Sequence, residues 1–295
     1  MTASTSVTAS SNVPASTGMT ASTGAGLGHT AGDTWPGDGS PARRPTRHVA
    51  LEAVHNFRDV GGYPTTGPVV GTVRPGLLYR ADGLNRLTEA DEDTINALGL
   101  RTVIDLRTLD EVDERGRFPL DRHPAAWHHL SILDVTWHGD TLHERLAAGE
   151  FLLTRYLEMG ESGAHAIASL FDVLASPGAL PAVFHCAAGK DRTGVVAALV
   201  LGALGVPDHV IVADYALTGE AMDRMRSWAL ATNPEMAARM ATMPPAFLAA
   251  EPAAMEGFLS LVRARHGSIV GYLHSVGVSD EAIDAMRAAL VQPAS

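Results

Sequence analysis

The single cysteine of the chain lies in His185-Cys186-Ala187-Ala188-Gly189-Lys190-Asp191-Arg192-Thr193-Gly194, with five residues between it and an arginine. That interval lets a loop curl until successive backbone N–H groups face one centre, forming a nest for an anion. A helix opening near Thr193 adds its N-terminal dipole at the same point. Arg192 can grip two oxygens of a phosphate through its planar fork. The dipole, Arg192 and Lys190 surround Cys186 with the positive potential that a thiolate nucleophile needs. Such a cradle, lined by Ala187, Ala188, Gly189, Lys190, Asp191 and Arg192, suits phosphoryl transfer to sulfur. The thiolate attacks phosphorus in line, and water then hydrolyses the cysteinyl-phosphate. The departing oxygen needs a proton, so a carboxylic acid should stand nearby. Backbone amides and Arg192 supply the charge stabilisation, so no metal or cofactor is expected.

Other chemistries fit the segment less well. A Walker loop needs glycine where Phe184 stands and Ser or Thr where Asp191 stands. A rhodanese-type sulfurtransferase also carries a reactive Cys between strand and helix, but the Arg192-Thr193-Gly194 ending matches a phosphate cradle better. Arsenate reduction calls on further cysteines, and Cys186 is alone. His123, His128, His129, His138 and His143 crowd together without the spacing of a metal site.

The elements that must position this loop are legible around it. Ala182 to His185 reads as a short buried strand entering the cradle, and Thr193 to about Leu204 as an apolar helix leaving it. Leu77 to Arg80, Thr102 to Leu106 and Trp127 to Leu133 read as further strands. Helices are expected from Thr88 to about Leu98 and from about Phe151 to Ala175, the latter stopped by Ser176-Pro177-Gly178. Strand–helix alternation of this kind predicts an α/β fold, a mostly parallel sheet flanked by helices. Beyond Asp208, expected to cap a helix, the pattern is helical to the end. Met222, Met225, Met236, Met240, Met243 and Met255 place six of the ten methionines between residues 222 and 255. Methionine suits adaptable apolar surfaces, so about 219–265 is a candidate helical lid.

Of the first 47 residues, 34 are Ser, Thr, Ala, Gly or Pro. Such a stretch buries too little apolar surface to offset its ordering entropy and is expected to be a disordered tail, leaving 48–295 as the catalytic domain. The net charge of −11 argues against nucleic acid as a partner. One cysteine excludes an internal disulfide. No apolar run is long enough for a transmembrane segment, and the N-terminus lacks the basic start and apolar stretch of a Sec signal peptide. The expectation is a soluble, cytoplasmic protein, with export lacking a Sec signal as the alternative.

His-Cys-x5-Arg-Thr-Gly resembles the signature of the protein-tyrosine phosphatases. The Gly189-Lys190-Asp191-Arg192 form is similar to the atypical bacterial branch, of the secreted mycobacterial B type. Asn56-Phe57-Arg58-Asp59-Val60-Gly61-Gly62 resembles that family's opening motif. Arg74 to Arg80, Asp105-Leu106-Arg107, Val210 to Tyr215 and Gly271-Tyr272-Leu273 also match its pattern, so the resemblance runs from about 50 to 292. It implies the phosphatase fold with a lid from the C-terminal half, and phosphotyrosine proteins as substrates. Phosphoserine/threonine and phosphoinositides are implied for some members, with Lys190 as a second cation for a polyanionic head group. Asp191 resembles the family's loop aspartate, and Asp134 sits where a separate acid loop could fall; both are general-acid candidates. His185 and Thr193 are expected to support the loop. Arg58-Asp59 and Asp105-Arg107 are expected as internal ion pairs, and Asp214 and Tyr215 as support behind the loop. A phosphate-binding module without turnover is the alternative function, but it would have no use for the thiolate.

Overall fold

Residues 47–133 and 141–294 are described by the computed structural model. The tail expected over 1–47 therefore lies outside them save for its last residue, and so do Asp134 and His138.

Among the described residues four strands come first: β1 (Arg58–Asp59), β2 (Pro64–Thr66), β3 (Val70–Val73) and β4 (Leu78–Ala81). Then come α1 (Glu92–Leu98), β5 (Thr102–Asp105), α2 (Leu109–Arg115), β6 (Ala126–His129), α3 (Ala148–Ser162), α4 (Ala164–Ala175) and β7 (Ala182–His185). Among the described residues the central sheet has the order β1-β4-β7-β5-β6, parallel except for β1. All four residues of β4, of β5 and of β7 are buried, as expected where helices cover both faces of a parallel sheet. Side chains alternate between the faces. Tyr79, Val103 and Val183 share a cluster with Phe57, Leu84 and Ile95 of α1. Arg80, Ile104 and Phe184 therefore point to the opposite face.

That second face is covered by α5 (Asp191–Ala203), which packs on β4 and β7. Its Val195, Val196, Leu199, Val200 and Leu201 are all buried, each such side chain worth about 1.5–3 kcal/mol. Behind it lie α6 (Asp208–Ala216), α7 (Thr218–Thr232), α8 (Pro234–Thr242), α9 (Pro245–Leu248), α10 (Pro252–His266), α11 (Ile269–Ser275) and α12 (Asp280–Leu290). The chain closes on β8 (Val291–Pro293), which pairs with β3 in a small sheet with β2. No described helix is long and apolar enough to cross a membrane.

Several sequence expectations shift here for local reasons. The third strand ends at His129 rather than Leu133. Leu130 N–H still bonds the Asp105 carbonyl, after which β5 has turned away and the Ser131 hydroxyl folds back onto the Leu133 carbonyl. The single helix expected to Ala175 is two helices divided at Gly163, where a Cβ would lie 2.7 Å from Ile132. Asp208 is the first residue of α6 and Pro207 its cap; the Asp208 carboxylate pairs with Arg263 at 2.8 Å. The end of the chain is not wholly helical, because Gly71 of β3 lets the backbone of Gln292 approach where any Cβ would collide.

Candidate active site

The ends of β4, β5 and β7 deliver three chain segments to one edge of the sheet, the carboxyl edge where open α/β sheets place their sites. β7 runs directly into Cys186, which is buried at 2% exposure. The helix after the loop starts at Asp191 rather than Thr193, since the Gly194 N–H already bonds the Lys190 carbonyl at 2.8 Å. Asp191, Arg192 and Thr193 thus occupy the first turn, where N–H groups have no intrahelical acceptor.

The loop is shaped by its carbonyls. Ala187 O accepts the Gly83 N–H at 3.2 Å. Asn56 Nδ2 donates to Ala188 O at 3.0 Å and to Gly189 O at 2.9 Å. Arg80 Nη2 donates to Gly189 O at 2.9 Å. In a trans peptide the C=O and the following N–H point opposite ways. Three carbonyls tied outward therefore turn the N–H groups of Ala188, Gly189 and Lys190 inward, toward the cradle. Gly189 makes the turn with φ +65°, and a Cβ there would stand 2.7 Å from Ala81 O.

Asn56 and Arg80 are held in turn. Asp82 accepts the Asn56 N–H at 2.9 Å, and Arg58 Nη1 donates to Asn56 Oδ1. Asp214 of α6 receives Arg58 Nε at 3.1 Å, Arg80 Nη1 at 2.6 Å and the Tyr63 hydroxyl at 2.9 Å. Its burial would raise its carboxyl, but the Arg58 and Arg80 charges outweigh that and hold it well below the ordinary range. Arg80 is pulled down to about 10 by burial and by Arg58, against the attraction of Asp214. Asp214 is thus the hub from which the loop's two carbonyl anchors are braced. Arg58 pairs with Asp214 and not with Asp59, which instead accepts the N–H groups of Gly61 and Gly76. The Asp105–Arg107 pair forms as expected, with contacts of 2.9 and 2.6 Å.

Arg192 is aligned by a residue the sequence reading missed. Its Nη1 donates to Glu111 Oε2, and its Nη2 to Oε1 at 3.0 Å. Burial pushes the Glu111 carboxyl up, but the Arg192 bonds and charge bring it down to about 2. Burial would lower Arg192, and its bonds to Glu111 raise it instead. The available signal was Thr108-x-x-Glu111, a capping box at the start of α2: Glu111 Oε2 also accepts the Thr108 N–H at 3.0 Å.

Lys190 departs from the expected geometry. Its ammonium, 1% exposed, donates to the carbonyls of Ala249 at 2.7 Å and Ala246 at 3.4 Å, and lies 3.3 Å from Asp191 Oδ1. It ties the cradle to α9 and the residues after it. His185 is fully buried, its Nδ1 3.3 Å from the Cys186 carbonyl. Burial lowers its imidazole against the attraction of Asp105. Thr193 is buried and its hydroxyl is without a partner among the described residues, so no hydroxyl bond supports the loop from there.

A cavity of about 740 Å³ opens over Ala187, Ala188, Asp191 and Arg192. Met222, Met225, Met236, Met240, Met243 and Phe247 form its apolar wall. Met255 does not join them: it is fully buried beside Gly194, because α10 packs against α3, α6 and α11. Of the candidate lid span, α7 to α9 face the cradle while α10 belongs to the core. His143 borders the cavity edge-on to Phe247, whereas His123 bonds Asn96 and His129 bonds the Arg107 carbonyl.

The likeness to known proteins spans nearly the whole described chain. Residues 49–292 match the model of the tyrosine phosphatase family. The chain is 31% identical over 282 residues to the triple specificity protein phosphatase PtpB of Mycobacterium tuberculosis, spanning 82% of this chain and 98% of that protein. It is also 29% identical over 220 residues to a tyrosine-protein phosphatase of Nostoc commune, spanning 72% and 74% of the two chains. A match of that extent has one reading: this chain is an enzyme of the tyrosine phosphatase family.

Proposed function

We propose that the enzyme hydrolyses phosphotyrosine in proteins through a cysteinyl-phosphate on Cys186. The observation that carries this is the cradle itself: inward N–H groups from 188–190, the first turn of α5, and Arg192 aligned by Glu111. The phosphoryl oxygens sit on these donors, which stabilise the charge of the transition state. The Cys186 sulfur bonds to phosphorus as the bond to the phenolic oxygen breaks, and Asp191 gives that oxygen its proton. Water then attacks phosphorus, gives its proton to Asp191, and the S–P bond breaks to return the thiolate. Asp191, on the first turn of α5 and bordering the cavity, is the acid this scheme uses. Segments α7 to α9 act as the cover over the cradle.

The resemblance, and the triple specificity in the name of the M. tuberculosis relative, support phosphoserine/threonine peptides and phosphoinositides as further substrates. A head group would draw on Lys190 only after its bond to Ala249 is released. The test is a panel of phosphotyrosine peptides, phosphoserine/threonine peptides and phosphoinositides, run on wild type and Cys186→Ser. Wild type should release phosphate fastest from phosphotyrosine, and Cys186→Ser should lose several decades in kcat while keeping its fold. More than about a tenth of the activity surviving in Cys186→Ser would remove the thiolate from the reaction.

A further inference from the structure

The carboxylate of Asp191 is gripped from behind by two phenols that the scheme above does not use. Tyr156 of α3 donates its hydroxyl proton to Asp191 Oδ1 at 2.8 Å, and its oxygen lies 2.5 Å from the hydroxyl of Tyr215 in α6. A phenol has one proton to donate. With that of Tyr156 committed to Asp191, the bond between the hydroxyls runs from Tyr215 to Tyr156. Both phenols are raised well above their ordinary value, by burial first and then by the charge of Asp191, so they stay donors. Lys190 Nζ stands 3.3 Å from the same Oδ1. Among the described residues every bond and ion-pair contact of this carboxylate falls on Oδ1, while Asp191 borders the cavity.

We propose that Tyr215 and Tyr156 form a directed hydroxyl relay that pins Oδ1 of Asp191 and leaves Oδ2 as the oxygen that carries the catalytic proton. This rests on Asp191 being the general acid. When the proton on Oδ2 passes to the leaving oxygen, the carboxylate gains its full charge and the bond from Tyr156 becomes charge-assisted. The bond is therefore stronger in the transition state than before it, the condition for accelerating the step. In the second half water returns a proton to Oδ2 as its oxygen bonds to phosphorus and the S–P bond breaks. Tyr156 and Tyr215 are positioning residues, since neither touches the reacting atoms. The charged and titratable groups around the acid are Lys190 and Arg192 beside it, Tyr156 from α3 and Tyr215 from α6, with Arg80 and Glu251 acting on Tyr215.

Phenylalanine removes the hydroxyl while keeping the ring, and with it the edge contacts of Tyr156 on Tyr215 and Phe258. The experiment measures kcat and its pH profile on phenyl phosphate and p-nitrophenyl phosphate for Tyr156→Phe, Tyr215→Phe, Asp191→Asn and the Asp191→Asn/Tyr156→Phe double variant. Acid catalysis matters most for the poor leaving group. Tyr156→Phe should lose about tenfold or more on phenyl phosphate and under about threefold on p-nitrophenyl phosphate. Loss of a donor to the anion should move its basic limb to higher pH. Tyr215→Phe should show the same pattern in weaker form, and Tyr156→Phe should add nothing once Asp191 is Asn. Equal losses on both substrates with an unmoved pH profile, while Asp191→Asn keeps its leaving-group pattern, would overturn the relay and leave the acid in place. An Asp191→Asn variant without that pattern would overturn the acid assignment and the relay together. If Tyr156→Phe does not fold, the absence of any leaving-group effect in Tyr215→Phe decides against the relay.

Discussion

Replacing Glu111 by glutamine tests whether Arg192 depends on its partner in α2. The wild-type carboxyl falls from an ordinary 4.5 to about 2 because Arg192 outweighs the effect of burial. At about 1.36 kcal/mol per pH unit, that difference is worth about 3 kcal/mol of folding stability at neutral pH. The side chain is only 7% exposed, so solvent screening takes little from the figure. For a domain of this size about 2–4 °C of Tm accompanies each kcal/mol, giving a loss of about 6–12 °C. The sign follows from a lowered acid: the contribution is complete above pH 4.5 and drains away as pH falls toward 2. At pH 3 about 1 kcal/mol should remain, so the Tm gap between wild type and Glu111→Gln should shrink to less than half its value at pH 7. Kinetically, the substituted amide presents one acceptor and one donor group to a guanidinium that offers only donors. Arg192 then loses its fixed alignment, and kcat/KM on phosphotyrosine peptide should fall about ten- to a hundredfold. Thermal unfolding by circular dichroism at pH 7 and pH 3, with steady-state rates at pH 7, reads both effects. A Tm gap that is the same at both pH values, or an unchanged kcat/KM, would refute the reasoning.

Asp214→Asn leaves Arg58 and Arg80 buried without the counter-charge they share and with one acceptor oxygen in place of two, and should cost about 3 kcal/mol, seen as a lower urea midpoint. The same variant should raise KM and lower kcat together, because the bonds to Ala188 O and Gly189 O lose their bracing. Lys190→Gln removes the ammonium from Ala249, and hydrogen exchange across 245–251 should speed up in that variant relative to wild type. An unchanged exchange pattern there would mean that α9 is held by its apolar contacts alone.

The strand–cradle–helix unit was legible in the sequence because everything that makes it is local. Five residues between Cys186 and Arg192, a buried run before them and an apolar helix after them are properties of one short stretch. Alternation of such runs with helices was enough for a parallel α/β sheet, since buried strands and amphipathic helices leave few other packings. Which partner each charge takes was not local. Arg58 stands beside Asp59 in sequence yet pairs with Asp214, because the pleat turns Arg58 and Asp59 to opposite sides of β1 and α6 packs on one of them. Glu111 carries no mark of its role in the sequence around Cys186, and meets Arg192 only once β5 and β7 lie side by side and bring α2 against the start of α5. Lys190 reads as a cation of the cradle, and only the path of the chain through α9 offers it the carbonyl of Ala249. Tyr215 reads only as support behind the loop, and nothing local singles out Tyr156, 59 residues earlier; packing α3 and α6 around α5 is what links their hydroxyls to Asp191. A spacing within one turn or loop survives as geometry whatever the rest of the chain does. A pairing across the sheet exists only once burial has chosen which faces meet, and that choice belongs to the whole core.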